Sequence, residues 1–132
     1  MGVRQSCGGA PYGAPLVSLP QCKELRALGT NAGKAAADLT SFRITGYEAN
    51  QPTGMPKTTP VHDALCVAAL ADPSLIATKF VNAVIETRGE YTIGRTVVDH
   101  EKRTKRAPNC HVAFAAERDK FFALLKNNFA AR

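Results

Sequence analysis

No stretch of this sequence stays apolar for the roughly 18 residues a membrane span needs, and charged residues make up 21% of the chain. A bilayer crossing is therefore not expected, and neither is a membrane partner. The opening Met1 to Leu16 lacks the continuous apolar core of a secretory signal. Met1-Gly2-Val3-Arg4-Gln5-Ser6 fits the myristoylation pattern only because that pattern admits almost any residue, so no lipid anchor is expected. The closing Ala130-Ala131-Arg132 is not the Ser-Lys-Leu of a peroxisomal address, which leaves the cytoplasm as the expected location.

Closely spaced cysteines are lacking too. The four thiols, Cys7, Cys22, Cys66 and Cys110, are too far apart for a CxxC metal or redox motif. Without an export signal they are expected to stay reduced. Cys66 lies in the run Ala64-Leu65-Cys66-Val67-Ala68-Ala69-Leu70 and reads as a small buried core residue. His100 and His111 have no partners at metal-ligand spacing and read as structural.

Basic residues are in excess, giving a net charge of +6, and the densest block is Lys102-Arg103-Thr104-Lys105-Arg106. Such a block attracts phosphates or acidic partners weakly and without sequence preference. No zinc-finger spacing, aromatic RNA-binding motif or basic recognition helix accompanies it, so it reads as a solvated loop and no nucleic-acid partner is expected.

With 132 residues, 45% of them hydrophobic, the chain has material for one core. Residues 1–15 are rich in Gly and Pro and read as an irregular leader. Residues 16–132 then form a single truncated domain. Leu25, Leu28, Ala32, Ala35, Ala36 and Leu39 recur at helical intervals, and Gly29 and Gly33 divide them into helices near 20–28 and 31–45. Gly46 to Lys57 combines Gly, Pro and Asn as loops do, and carries Tyr47.

Thr58-Thr59-Pro60-Val61-His62-Asp63 reads as a helix start, with Thr59 as N-cap, Pro60 in the first helical position and Asp63 answering the positive helix end. The helix runs to about Leu70 and stops at Asp72-Pro73. Residues 80–87 and 92–99 read as an antiparallel pair around a turn at Arg88-Gly89-Glu90, with Gly94 as a bulge. Cys110 to Phe114 is a short strand, and the tail from Ala116 places Phe121, Leu124, Leu125 and Phe129 on one helical face.

These pieces, in their order, resemble the later part of the inosine-uridine-preferring nucleoside hydrolase family. The resemblance rests on Thr59-Pro60-Val61-His62-Asp63-Ala64, Asp72-Pro73-Ser74-Leu75, the run from Glu86 to Asp99, and Pro108-Asn109-Cys110-His111-Val112-Ala113. It is firm from about residue 58 and looser from about residue 19. It implies an α/β protein, the C-terminal segment of the nucleoside hydrolase fold, with helices, a short β-hairpin and a C-terminal strand-helix unit.

The resemblance also implies roles. His62 is placed near the departing base as proton donor and contacts substrate, Asp63 ligates a calcium ion that also holds the ribose hydroxyls, and Tyr47 is an aromatic contact for the base. Breaking an N-glycosidic bond builds positive charge on ribose and negative charge on the base, so a donor to the base is a fitting catalyst. The sequence departs from the family in that the central strands and the Asn and Glu residues that bind ribose there have no counterpart, and in its acidic residues. The acidic cluster that supplies most calcium ligands has no counterpart, since no Asp or Glu precedes Glu24.

Calcium takes about six to eight oxygens, so it is expected only if other residues or another chain complete the site. Two functions stay open. One is a hydrolase of ribonucleosides that works only when completed by another chain or by the rest of a longer one, the expected partners being a ribonucleoside substrate and a further copy of the chain or a full-length homologue. The other is a catalytically inactive truncated homologue with a structural or assembly role.

Overall fold

Ser18 starts the first helix because its extended backbone (φ -103°, ψ 162°) turns the chain while its N–H donates to Gln21 Oε1 at 2.9 Å, which ties the first turn. In the computed structural model, residues 15–51 and 53–131 are described. The expected leader lies outside them except for Pro15, which is buried. The elements are β1 (Leu16–Ser18), α1 (Leu19–Ala27), α2 (Asn31–Asn50), β2 (Thr58–Pro60), α3 (His62–Ala71), a 3-10 turn at Pro73–Leu75, β3 (Ile76–Ile85), β4 (Thr96–Asp99), β5 (Cys110–Ala116) and α4 (Arg118–Ala130). Among the described residues no helix is long and apolar enough to cross a membrane.

The described residues group into two compact units. One comprises residues 15–76 and 115–131 and holds all four helices. The break between α1 and α2 falls where the glycines predict it. Gly29 takes a left-handed φ of +75°, the conformation that ends helices at lowest cost for a residue without Cβ. Gly33 lies within α2 and serves a different purpose: a Cβ there would come within 2.5 Å of the Leu25 carbonyl oxygen. Thr30 caps α2, accepting from the Gly33 N–H at 3.1 Å and donating to the Phe129 carbonyl of α4 at 2.6 Å.

Val17, Cys22, Leu25, Ala37, Ile44, Ala68, Leu75, Phe121 and Phe122 make one buried cluster. Leu124, Leu125 and Phe129 pack against it, so the apolar face predicted for the tail does line the core, joined by Phe122. α2 runs to Asn50, further than the sequence suggests. Gly46 does not stop it because helical backbone hydrogen bonds outweigh a propensity penalty of about 1 kcal/mol.

The second unit, residues 77–114, is built on a three-stranded sheet in the order β4-β3-β5. β3 and β4 are antiparallel, with Asn82 opposite Asp99 and Ile85 opposite Thr96. β4 is shorter than the apolar run suggested: Thr92 and Ile93 belong to the turn. Gly94 takes φ +83° inside that turn, so it is a turn residue and not a bulge. The Glu86 carboxylate draws the turn together by accepting from the N–H groups of Arg88 at 2.8 Å and Gly89 at 3.1 Å. These bonds hold its pKa below the usual carboxylate range.

Candidate functional site

The segment that carries the candidate residues begins as a strand. β2 pairs antiparallel with β1, setting Leu16 opposite Pro60 and Val17 opposite Thr59. The ladder extends one step, with the Val61 N–H donating to the Pro15 carbonyl at 3.2 Å. Thr59 is fully buried in this strand. The helix starts at His62, with Val61 at the N-cap making no side-chain bond. The expected Thr59 cap and Pro60 first turn are thus displaced by two residues, because pairing with β1 holds Thr58 to Pro60 extended.

The loop before β2 is tied at several points. The Lys57 N–H donates to Glu48 Oε1 at 2.9 Å, and the Thr58 hydroxyl donates to the Met55 carbonyl at 2.7 Å. The Lys57 carbonyl accepts from the Leu19 N–H at 3.1 Å, which fastens the loop to the start of α1. The outcome is a fixed exit point from which α3 projects.

His62 and Asp63, the first two residues of α3, are both exposed. Among the described residues neither side chain makes a hydrogen bond or ion pair. Asp63 lies in the first turn, where the helix dipole favours a carboxylate. Successive helical residues are rotated by about 100°, so the two side chains leave the axis in different directions.

Tyr47 is not in a loop. It lies in the last turn of α2, half-buried, with the Arg43 guanidinium 5.4 Å from its ring centroid. Among the described residues no hydrogen bond joins it to His62 or Asp63.

The described residues do not fit a calcium ion by themselves. They contain no group of three His, Cys, Asp or Glu side chains able to hold a metal, and Asp63 offers two oxygens where calcium takes about six to eight.

Cys66 overturns its expected place in the core: it is exposed. So are Val67 and Leu70 on the same helix, at 70% and 87%. α3 packs through Ala68, with Val61, Ala64 and Leu65 partly buried beside it. Among the described residues Cys22 is the buried thiol, and burial pushes its pKa up against the opposing hydrogen bond from Ser41.

His111 stacks at a tilt on Phe80, centroids 4.9 Å apart, and His100 on Phe114 at 4.6 Å. The His100 Nε2 lies 3.0 Å from Lys79 Nζ. Those histidines pack on rings within the sheet unit. No spacing signal in the sequence marks either contact.

The profile described as inosine-uridine preferring nucleoside hydrolase matches residues 11–123. The chain belongs to the inosine-uridine preferring nucleoside hydrolase family. Among relatives, a pyrimidine-specific ribonucleoside hydrolase, RihA, of Shigella boydii is 31% identical over 109 residues, covering 83% of this chain and 34% of its own length. A probable ribonucleoside hydrolase of Dictyostelium discoideum is 41% identical over 68 residues, 52% of this chain and 20% of that protein.

The solved purine-preferring ribonucleoside hydrolase from Gardnerella vaginalis superposes with a TM-score of 0.69 at 30% identity, over 87% of this chain and 35% of that one. A plant nucleoside hydrolase, PpNRh1, gives 0.71 at 18% identity, over 89% of this chain and 38% of that one, and speaks for the fold alone. The chain is a mixed helix-and-sheet part of that fold, and it spans about a third of the length of these relatives, a fifth for the Dictyostelium protein.

Proposed function

We propose that this chain supplies the histidine-aspartate part of a ribonucleoside N-ribohydrolase site, which hydrolyses the bond between ribose and base once another chain, or the rest of a longer one, completes it. One observation carries the reading. The His62 and Asp63 side chains stand open, and without hydrogen-bond or ion-pair partners among the described residues, at the head of α3, in a chain of the nucleoside hydrolase family.

In this reaction water adds to the anomeric carbon, the carbon-nitrogen bond breaks, and its electron pair leaves with the base. His62 donates a proton to that base and regains one from the water that was consumed, so ribose and neutral base are the products. Tyr47 contacts the base in this scheme. Asp63 is the oxygen donor this chain offers toward a calcium ion, and calcium enters only where further ligands come from elsewhere.

The test is ribose release from inosine and uridine in the presence of calcium. The chain would be assayed with the portion of the Shigella boydii relative that lies outside the matched region. Turnover is expected to disappear in His62→Ala and Asp63→Asn. Turnover that survives replacement of both residues together would remove the proposal.

A second reading, a catalytically inactive homologue with an assembly role, is favoured by the solitary Asp63. Calcium-dependent turnover by the purified chain alone would exclude it.

A further inference from the structure

Asp63, Cys66, Val67 and Leu70 stand at positions i, i+3, i+4 and i+7 of α3, the spacing that puts side chains on one helical face. All four are exposed. The opposite face is the one that meets the core, through Ala64, Leu65 and Ala68. α3 is therefore apolar on both sides, and the two candidate site residues sit at the head of the uncovered side. A helix apolar all round is one that lies between two layers.

The strip is the convex surface of a helix, whereas small molecules bind in concave sites. Two grooves of the same unit, of about 520 and 300 Å³, are lined by residues of α1, α2, the α1-α2 turn, Lys57 and Ala131, not by α3. The occupant is thus a polypeptide. A second copy would bring no acidic cluster, since no Asp or Glu precedes Glu24. The relatives, by contrast, carry about two-thirds of their length beyond the matched region.

Resting on the function proposed above, we infer that the Cys66-Val67-Leu70 strip is the docking face for a polypeptide equivalent to that unmatched part. Docking along the strip brings a second wall to the head of α3 and turns an open pair of side chains into a pocket from which water is excluded. Water exclusion strengthens every polar interaction made there.

Cys66 reports docking without reference to activity. Its alkylation would be followed residue by residue by mass spectrometry, in the chain alone and with the unmatched portion of the Shigella boydii relative, co-expressed. A chimera in which this chain replaces the matched region gives the same reading within one molecule. Cys66 modification is expected to slow by roughly tenfold or more on saturation, because only undocked chain reacts. Val67→Asp or Leu70→Asp, both at exposed positions, should restore the fast rate with the helical circular dichroism unchanged.

Cys66 reacting equally fast alone, in the mixture and in the folded chimera would overturn the inference. So would protection that grows with the concentration of the chain alone, which would assign the strip to a second copy. His62→Ala and Asp63→Asn separate the two proposals: protection should persist in both, and turnover unaffected by them would sink the catalytic reading while leaving the docking face standing.

Discussion

The side-chain amide of Asn109 pairs with both backbone groups of Ala83, accepting from its N–H at 2.9 Å and donating to its carbonyl at 2.8 Å. The Asn109 N–H also donates to the Val81 carbonyl at 3.0 Å. A carboxamide thus takes the place of one strand residue in the ladder beside β3, just before β5 begins.

Replacing that amide with a carboxylate keeps the acceptor and loses the donor, setting an oxygen against the Ala83 carbonyl. Asn109→Asp is expected to destabilise the sheet unit by about 1–2 kcal/mol. The check is a lower urea midpoint together with faster amide exchange at Ala83.

Asp99 organises the basic loop in a pH-dependent way. Its carboxylate accepts from the Thr104 hydroxyl at 2.6 Å and from the N–H groups of Thr104 at 2.9 Å and Arg103 at 2.8 Å. The Thr104 hydroxyl is the largest influence holding the Asp99 pKa below the usual carboxylate range. Because the folded value lies below the unfolded one, the stabilisation is full above the unfolded pKa and fades as pH falls through the folded one. The amide resonances of Arg103 and Thr104 should shift together across that acidic window, and Thr104→Val should move the transition to higher pH.

The two described thiols of the helical unit should differ sharply in reactivity. Cys66 is exposed, while Cys22 is buried with its pKa raised by desolvation, and the thiolate is the reactive form. In the native chain a maleimide should label Cys66 in preference to Cys22, and urea should bring Cys22 up to a comparable rate. Equal native rates would contradict the packing of α1 described above.

Phe121 is 1% exposed in the central cluster. Phe121→Ala should cost about 3–5 kcal/mol, a large share of the roughly 5–15 kcal/mol that holds a typical domain folded. His62→Ala, at an exposed position, should change stability by no more than about 0.5 kcal/mol. Thermal melts of the two variants side by side would check that the histidine is not kept for folding.

The helices were legible because their signals are local. Gly29 punctuates α1, and the periodic apolar residues from Phe121 to Phe129 mark α4. The β1-β2 pair was not legible. Three-residue strands show no alternation, and the partner that turns Thr59 from a cap into a strand residue is Val17, 42 positions earlier. The family motif pointed to His62 and Asp63 as a pair, but apolar composition misplaced Cys66. A run such as Ala64 to Leu70 states that a helix prefers cover; it does not state that this chain provides the cover. Likewise, nothing in the composition of the loop from Glu101 to Pro108 reveals that Asp99 and Asn109 clasp its two ends.

The bond from Thr30 to the carbonyl of Phe129 joins positions 99 residues apart, and α4 contributes both phenylalanines of the cluster to which α1 and α2 contribute Cys22, Leu25, Ala37 and Ile44. A ribosome delivers those pieces from the amino end, so α1 and α2 emerge long before the rings that complete their cluster. Until α4 leaves the exit tunnel, the nascent chain holds a bare apolar seam, and that interval is when chaperone engagement or premature aggregation would act on it.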